Sequence, residues 1–89
     1  MIKELETKFI GKGQVRGFVF TQICKTDNGF IYEVDNYGNK YYEVFKKKLN
    51  TMYNNISYPT DKAFGIWAFT TYNLDKAKIM LNNLKNKKL

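Results

Sequence analysis

Between Phe18 and Phe45, β-branched and aromatic residues recur at the short spacing of strands, and the pattern is broken twice, at Asp27-Asn28-Gly29 and at Tyr37-Gly38. A three-residue loop with Gly29 in the left-handed region sets Thr26 opposite Phe30. Phe18, Phe20, Gln22 and Cys24 then share a face with Phe30, Tyr32 and Val34. A two-residue Asn28-Gly29 loop would send Phe18 and Phe20 to the other face, because a one-residue slip inverts every side chain. The first register gathers the larger aromatics and is the one expected. A turn at Tyr37-Gly38 pairs Val34 with Tyr41, Tyr32 with Glu43 and Phe30 with Phe45. One face of this hairpin carries Phe30, Tyr32, Val34, Tyr41, Glu43 and Phe45; the other carries Ile31, Glu33, Asp35, Lys40, Tyr42 and Val44. The first is the expected core face, with Glu43 its misfit, since a fully buried and unpaired carboxylate is costly.

Residues 46–57 have no clear period: the strand either continues through Met52 or gives way to a loop at Lys46. Pro59 suits the first position of a helical turn and Gly65 a helix stop, so residues 59–64 are expected to form one turn. Residues 66–72 read as a strand. Both of its alternate sets are apolar (Ile66 and Ala68; Trp67 and Phe69), which points to a strand covered on both faces or central in a sheet. Asn73 is a good N-cap, and Asp75 places a negative charge in the first turn of a helix from Leu74 to about Lys87. Leu74, Ala77, Met80, Leu81 and Leu84 share one helix face, with Ile79 nearly opposite. Residues 5–10 suit a first strand that turns at "GKG" into the strand from Val15. The sum is an α+β fold: an antiparallel meander of four or five strands with one C-terminal α-helix packed across the sheet.

Composition adds limits. The 89 residues fit a single domain over 1–89, with a polar, frayed tail from about residue 86. A chain this short has a small core, and an aromatic content of 17% compensates through the large area each ring buries. Cys24 is the sole cysteine, which removes any intramolecular disulfide or cysteine-rich metal cluster and points to a reducing, cytoplasmic setting. The opening "MIKELETKFI" lacks the apolar run of a signal peptide and no stretch approaches spanning length, so no membrane partner is expected. The overall character (small, rich in lysine and asparagine, aromatic, free of histidine) is that of short phage and mobile-element proteins.

The chemistry is limited by what is missing. No histidine is present, so the commonest general base, the commonest metal ligand and any Ser-His or Cys-His dyad are lost. Ser57 is the only serine, and "GKGQVRG" has neither the spacing nor the context of a nucleotide fingerprint. Glu33 and Glu43 fall on opposite faces of the hairpin and cannot act as a carboxylate pair. No catalytic residue, metal site or cofactor is expected, and an enzyme is disfavoured.

The net charge of +7 instead favours an anionic partner. Lys40, Lys46, Lys47 and Lys48 are the candidate phosphate ligands, with Tyr41, Tyr42 and Trp67 as planes for stacked bases. A single arginine, Arg16, argues against base-specific readout. The same lysines also suit a solvated strand end, and Lys76, Lys78, Lys85, Lys87 and Lys88 a solvated helix face. The expected function is a small non-enzymatic binding protein for nucleic acid or a nucleotide. The competing reading is a protein-interaction module, or small inhibitor of a host factor, that uses exposed tyrosines and a free sheet edge; a homo-oligomer is compatible with both.

Overall fold

The computed structural model describes residues 3–86 as an α+β fold, in which a five-stranded antiparallel sheet carries one helix. Strands β1 (Lys8–Ile10), β2 (Val19–Lys25), β3 (Gly29–Asn36) and β4 (Asn39–Lys46) form a meander. The chain then leaves the sheet for a small hairpin, β5 (Leu49–Asn50) and β6 (Asn55–Ile56), and passes a 3-10 turn at Asp61–Ala63. It returns as β7 (Ala68–Thr71) beside β4, and ends in α1 (Leu74–Asn86). The expected polar tail lies largely outside the described residues, as do Lys87, Lys88 and the side chain of Lys85.

The β3–β4 hairpin has the expected register, with Phe30 opposite Phe45, Tyr32 opposite Glu43 and Val34 opposite Tyr41. Tyr37 and Gly38 both take positive φ, 50° and 98°, as in the tight turn whose twist matches that of the strands. The Asp35 carboxylate accepts a hydrogen bond from the Gly38 amide at 2.7 Å and holds the turn.

The β2–β3 connection differs from the expected loop. Thr26 pairs with Gly29 across a two-residue Asp27-Asn28 turn, and the Thr26 hydroxyl accepts hydrogen bonds from the amides of Asn28 and Gly29. Gly29 is not in the left-handed region. Its lack of a side chain answers a packing demand: a Cβ there would lie 2.1 Å from the Phe45 carbonyl oxygen and 3.0 Å from Leu81 Cδ1. A bulge between Gln22 and Cys24 then shifts the register by one residue. Phe20 and Gln22 therefore face the side of Tyr32 and Val34, as expected, whereas Cys24 stands opposite Ile31 and turns to the other side.

Both faces of the sheet are buried. Alternation singles out the Phe30, Tyr32, Val34 and Phe45 face, yet Ile31 and Val44 on the other face are equally inaccessible. The helix covers that second face through Ala77, Leu81 and Leu84, and Asn73 caps it by accepting a hydrogen bond from the Lys76 amide. Residues 56–67 cover the first face with Ile56, Tyr58, Ala63, Phe64 and Trp67, joined by Leu5 and Phe9 from the N-terminal segment. The expected turn at 59–64 is the shorter 3-10 turn. The expected strand at 66–72 is only four residues long, because Ile66 and Trp67 lie in the turn that precedes it. It is an outer strand, and its two faces feed the two separate clusters through Ala68 and Phe69.

Candidate functional site

Two places combine polar chemistry with accessible aromatic surface. The first is the end of the sheet where β4 stops. Lys46, Lys47 and Lys48 are exposed there. Backbone pairing fixes them: the Lys46 amide donates to the Trp67 carbonyl at 3.0 Å, and the Lys47 amide to the Asn28 carbonyl at 2.9 Å. The Lys48 ammonium lies 5.4 Å from the centre of the Trp67 ring, a cation–π contact. The strand thus brings Lys48 and Trp67 together and presents Lys46 and Lys47 beside them.

The other sequence candidates lie elsewhere. Lys40 is the second residue of β4, six residues from Lys46 and therefore about 20 Å away along an extended strand. Tyr41 and Tyr42 point to opposite faces: Tyr41 packs on the aromatic cluster and against Tyr72 at 6.0 Å, whereas Tyr42 packs beneath the helix. Neither adjoins the lysines at the far end of the strand.

The β5–β6 hairpin grows directly out of Lys48, and its tip carries Met52 and Tyr53 at 80% and 70% exposure. The Asn50 side chain accepts hydrogen bonds from the Met52 and Tyr53 amides, and Asn54 takes positive φ, so the tip has a defined shape. Lys3 pairs with this hairpin through its backbone, donating to Asn54 and accepting from Ile56, which adds another basic residue. Sequence reading leaves this region without a period because its strands are two residues long, too short for alternation to show. The only local signal is the pair of asparagines, Asn50 and Asn54, flanking Thr51-Met52-Tyr53. Among the described residues one ion pair forms, Lys25 with Glu4 at 3.0 Å, so none of Lys46, Lys47 and Lys48 is neutralised by a carboxylate.

The second place is a cleft of about 400 Å³ on the first face of the sheet, between the turn at Gly13–Val15 and the covering segment. Phe9 and Phe20, stacked at 4.7 Å, line it together with Phe64 and Pro59. Glu43 and Tyr58 reach it from below. Tyr58 is the keystone of this face: its ring lies 4.8–5.6 Å from those of Phe9, Phe20, Tyr32 and Phe45. Its hydroxyl donates a short hydrogen bond to Glu43 Oε1. Burial pushes the Glu43 carboxyl above its ordinary range, and the Tyr58 hydrogen bond offsets this in part. Burial and the neighbouring carboxylate drive the Tyr58 hydroxyl far above an ordinary phenol. The misfit carboxylate of the core face is thus held by a tyrosine fifteen residues further along the chain.

Among the described residues no three carboxylates or thiols converge as a metal site would require, and no helix is long and apolar enough to cross a membrane. No family model, curated protein or solved structure matches the chain. The functional reading therefore rests on these two places.

Proposed function

We propose that the protein is a non-enzymatic binding protein for nucleic acid, preferring single strands, with the β4 end and the β5–β6 hairpin as its contact surface. One observation carries the reading: three adjacent lysines without acidic partners run directly into a hairpin that displays a tyrosine and a methionine. Lysines meet backbone phosphates, and an exposed ring stacks on bases without regard to sequence. Trp67 serves as a support, since Lys48 already occupies its face. Weak sequence preference follows from the scarcity of arginine.

Fluorescence anisotropy with labelled oligo-dT and oligo-U tests this. Three phosphate contacts imply a log–log salt slope near −2, or about a twentyfold loss of affinity between 50 and 200 mM salt. Changing Lys46, Lys47 and Lys48 together to alanine should abolish most of that slope. Tyr53→Ala should cost about 1–3 kcal/mol with the slope unchanged. Absence of binding to every oligonucleotide at low salt would end the proposal.

A protein-interaction role is the second reading, favoured by the unpaired outer edge of β7 beside exposed Ile66 and Tyr72. It requires a partner that is retained after nuclease treatment and lost when a proline replaces Thr70.

A further inference from the structure

The Glu43 cleft lies on a different part of the molecule from the lysine-rich end, and nucleic-acid binding leaves it without a role. Its walls are aromatic and its volume suits a small organic molecule. The polar groups are few and of one kind. Glu43 is only 8% exposed, and its one side-chain hydrogen bond among the described residues reaches Oε1. No enclosed side-chain oxygen among the described residues is left without a partner, so Oε2 is not sealed off, and Glu43 lines the cleft. Glu6 also lines the cleft, and Lys12 stands at its rim. In a chain of net charge +7, two carboxylates here face one ammonium. Among the described residues, the remaining titratable neighbours of Glu43 are the phenols of Tyr32, Tyr41 and Tyr58, which stay neutral across the physiological range.

We propose that this cleft binds a small organic ammonium, whose flat apolar body packs on Phe9, Phe20 and Phe64 while its N–H donors meet Glu43 Oε2. An anion would meet the Glu43 charge at close range in a poorly solvated site. A neutral apolar guest would displace water from Oε2 and leave it with no donor. A cation supplies both the charge and the donor. It also restores the ionised form of a carboxyl that burial otherwise drives toward protonation, so binding is coupled to proton release.

Isothermal titration calorimetry of the full chain with three probes of similar size tests the idea: 2-phenylethylamine, 2-phenylethanol and 3-phenylpropionate. The amine should bind about tenfold or more tightly than the alcohol, with the carboxylate weakest. Amine affinity should fall as the pH drops through the Glu43 titration. Near that pH the measured heat should vary with the ionisation enthalpy of the buffer, which reports proton release. Glu43→Gln should abolish the preference for amine over alcohol, with folding checked by amide NMR spectra. Lys12→Ala should strengthen amine binding, because it removes a competing cation.

Equal binding of amine and alcohol, tighter binding of the carboxylate, or no heat from the amine at about 10 mM, well beyond the weakest specific affinities, would each overturn the proposal. The probe series and the pH profile use the unaltered chain, so they decide the matter even if Glu43→Gln does not fold.

Discussion

The two faces of one sheet are closed in different ways. The helix face is aliphatic and regular: Ala77, Leu81 and Leu84 lie on Ile31 and Val44, and among the described residues no charged side chain is buried with them. The opposite face is aromatic and irregular, closed by a segment with a proline, a 3-10 turn and Tyr58, and it holds a buried carboxylate. A helix presents a continuous stripe and leaves little space. An irregular cover packs through a few large rings and leaves a cleft beside them. Stability is thus spread over the helix face, whereas the aromatic face concentrates it in one residue and leaves room for a ligand.

Tyr58→Ala probes that concentration most directly. It removes a ring touching four others and strands Glu43 without its donor, and it should cost about 3–5 kcal/mol in urea unfolding, close to the whole stability of a small domain. Leu81→Ala on the helix face should cost less, about 2–3 kcal/mol, because neighbouring aliphatics share its contacts. If the order is reversed, the aromatic face is not the one that depends on a single residue.

Tyr58→Phe keeps the ring and removes only the hydroxyl, so it should cost about 1–3 kcal/mol, with a larger deficit at neutral than at acidic pH. Asn73→Ala removes one helix cap and should lower stability by about 1 kcal/mol, read as a small fall in thermal midpoint.

The Glu43 carboxyl gives the finest comparison. Its value in the folded chain lies above the ordinary 4.5, so the folded state holds the proton more tightly than the unfolded chain. The stability it contributes is fully present below 4.5 and is lost as pH rises through the raised value. Glu43→Gln removes this decline. The stability of the variant relative to the parent should therefore improve steadily with pH across that window, as followed by urea unfolding at several pH values. A difference independent of pH would show that Glu43 is not the group responsible.

The same contrast explains what the sequence reveals. The β3–β4 register is legible because Tyr37-Gly38 can adopt the positive φ values of a tight turn and alternation runs unbroken on both sides. The helix is legible because its stripe, cap and polar face agree. The bulge at Ile23 is not, because Ile23 and Cys24 are both apolar and either can face a core. Nor is most of the cover over the first face: Pro59 and Gly65 mark a turn, but Tyr58 finds Glu43 only through tertiary packing. At the candidate nucleic-acid surface, Lys46, Lys47, Lys48 and the lone tryptophan are conspicuous in the sequence. Their proximity is not, since it depends on the backbone pairing of Lys46 with Trp67. Tyr41 and Tyr42 look equally suitable as stacking planes until the strand sends them to opposite faces.

Gly29 ties the ends of the molecule together. The space its missing side chain leaves is filled by the Phe45 carbonyl and by Leu81 from the helix, fifty-two positions along the chain. The tip of the β2–β3 hairpin therefore cannot loosen without releasing the third turn of the helix. Local opening of either should be coupled, so that in native-state hydrogen exchange the amides of α1 up to Leu81 share the protection of β3 and respond together to dilute denaturant.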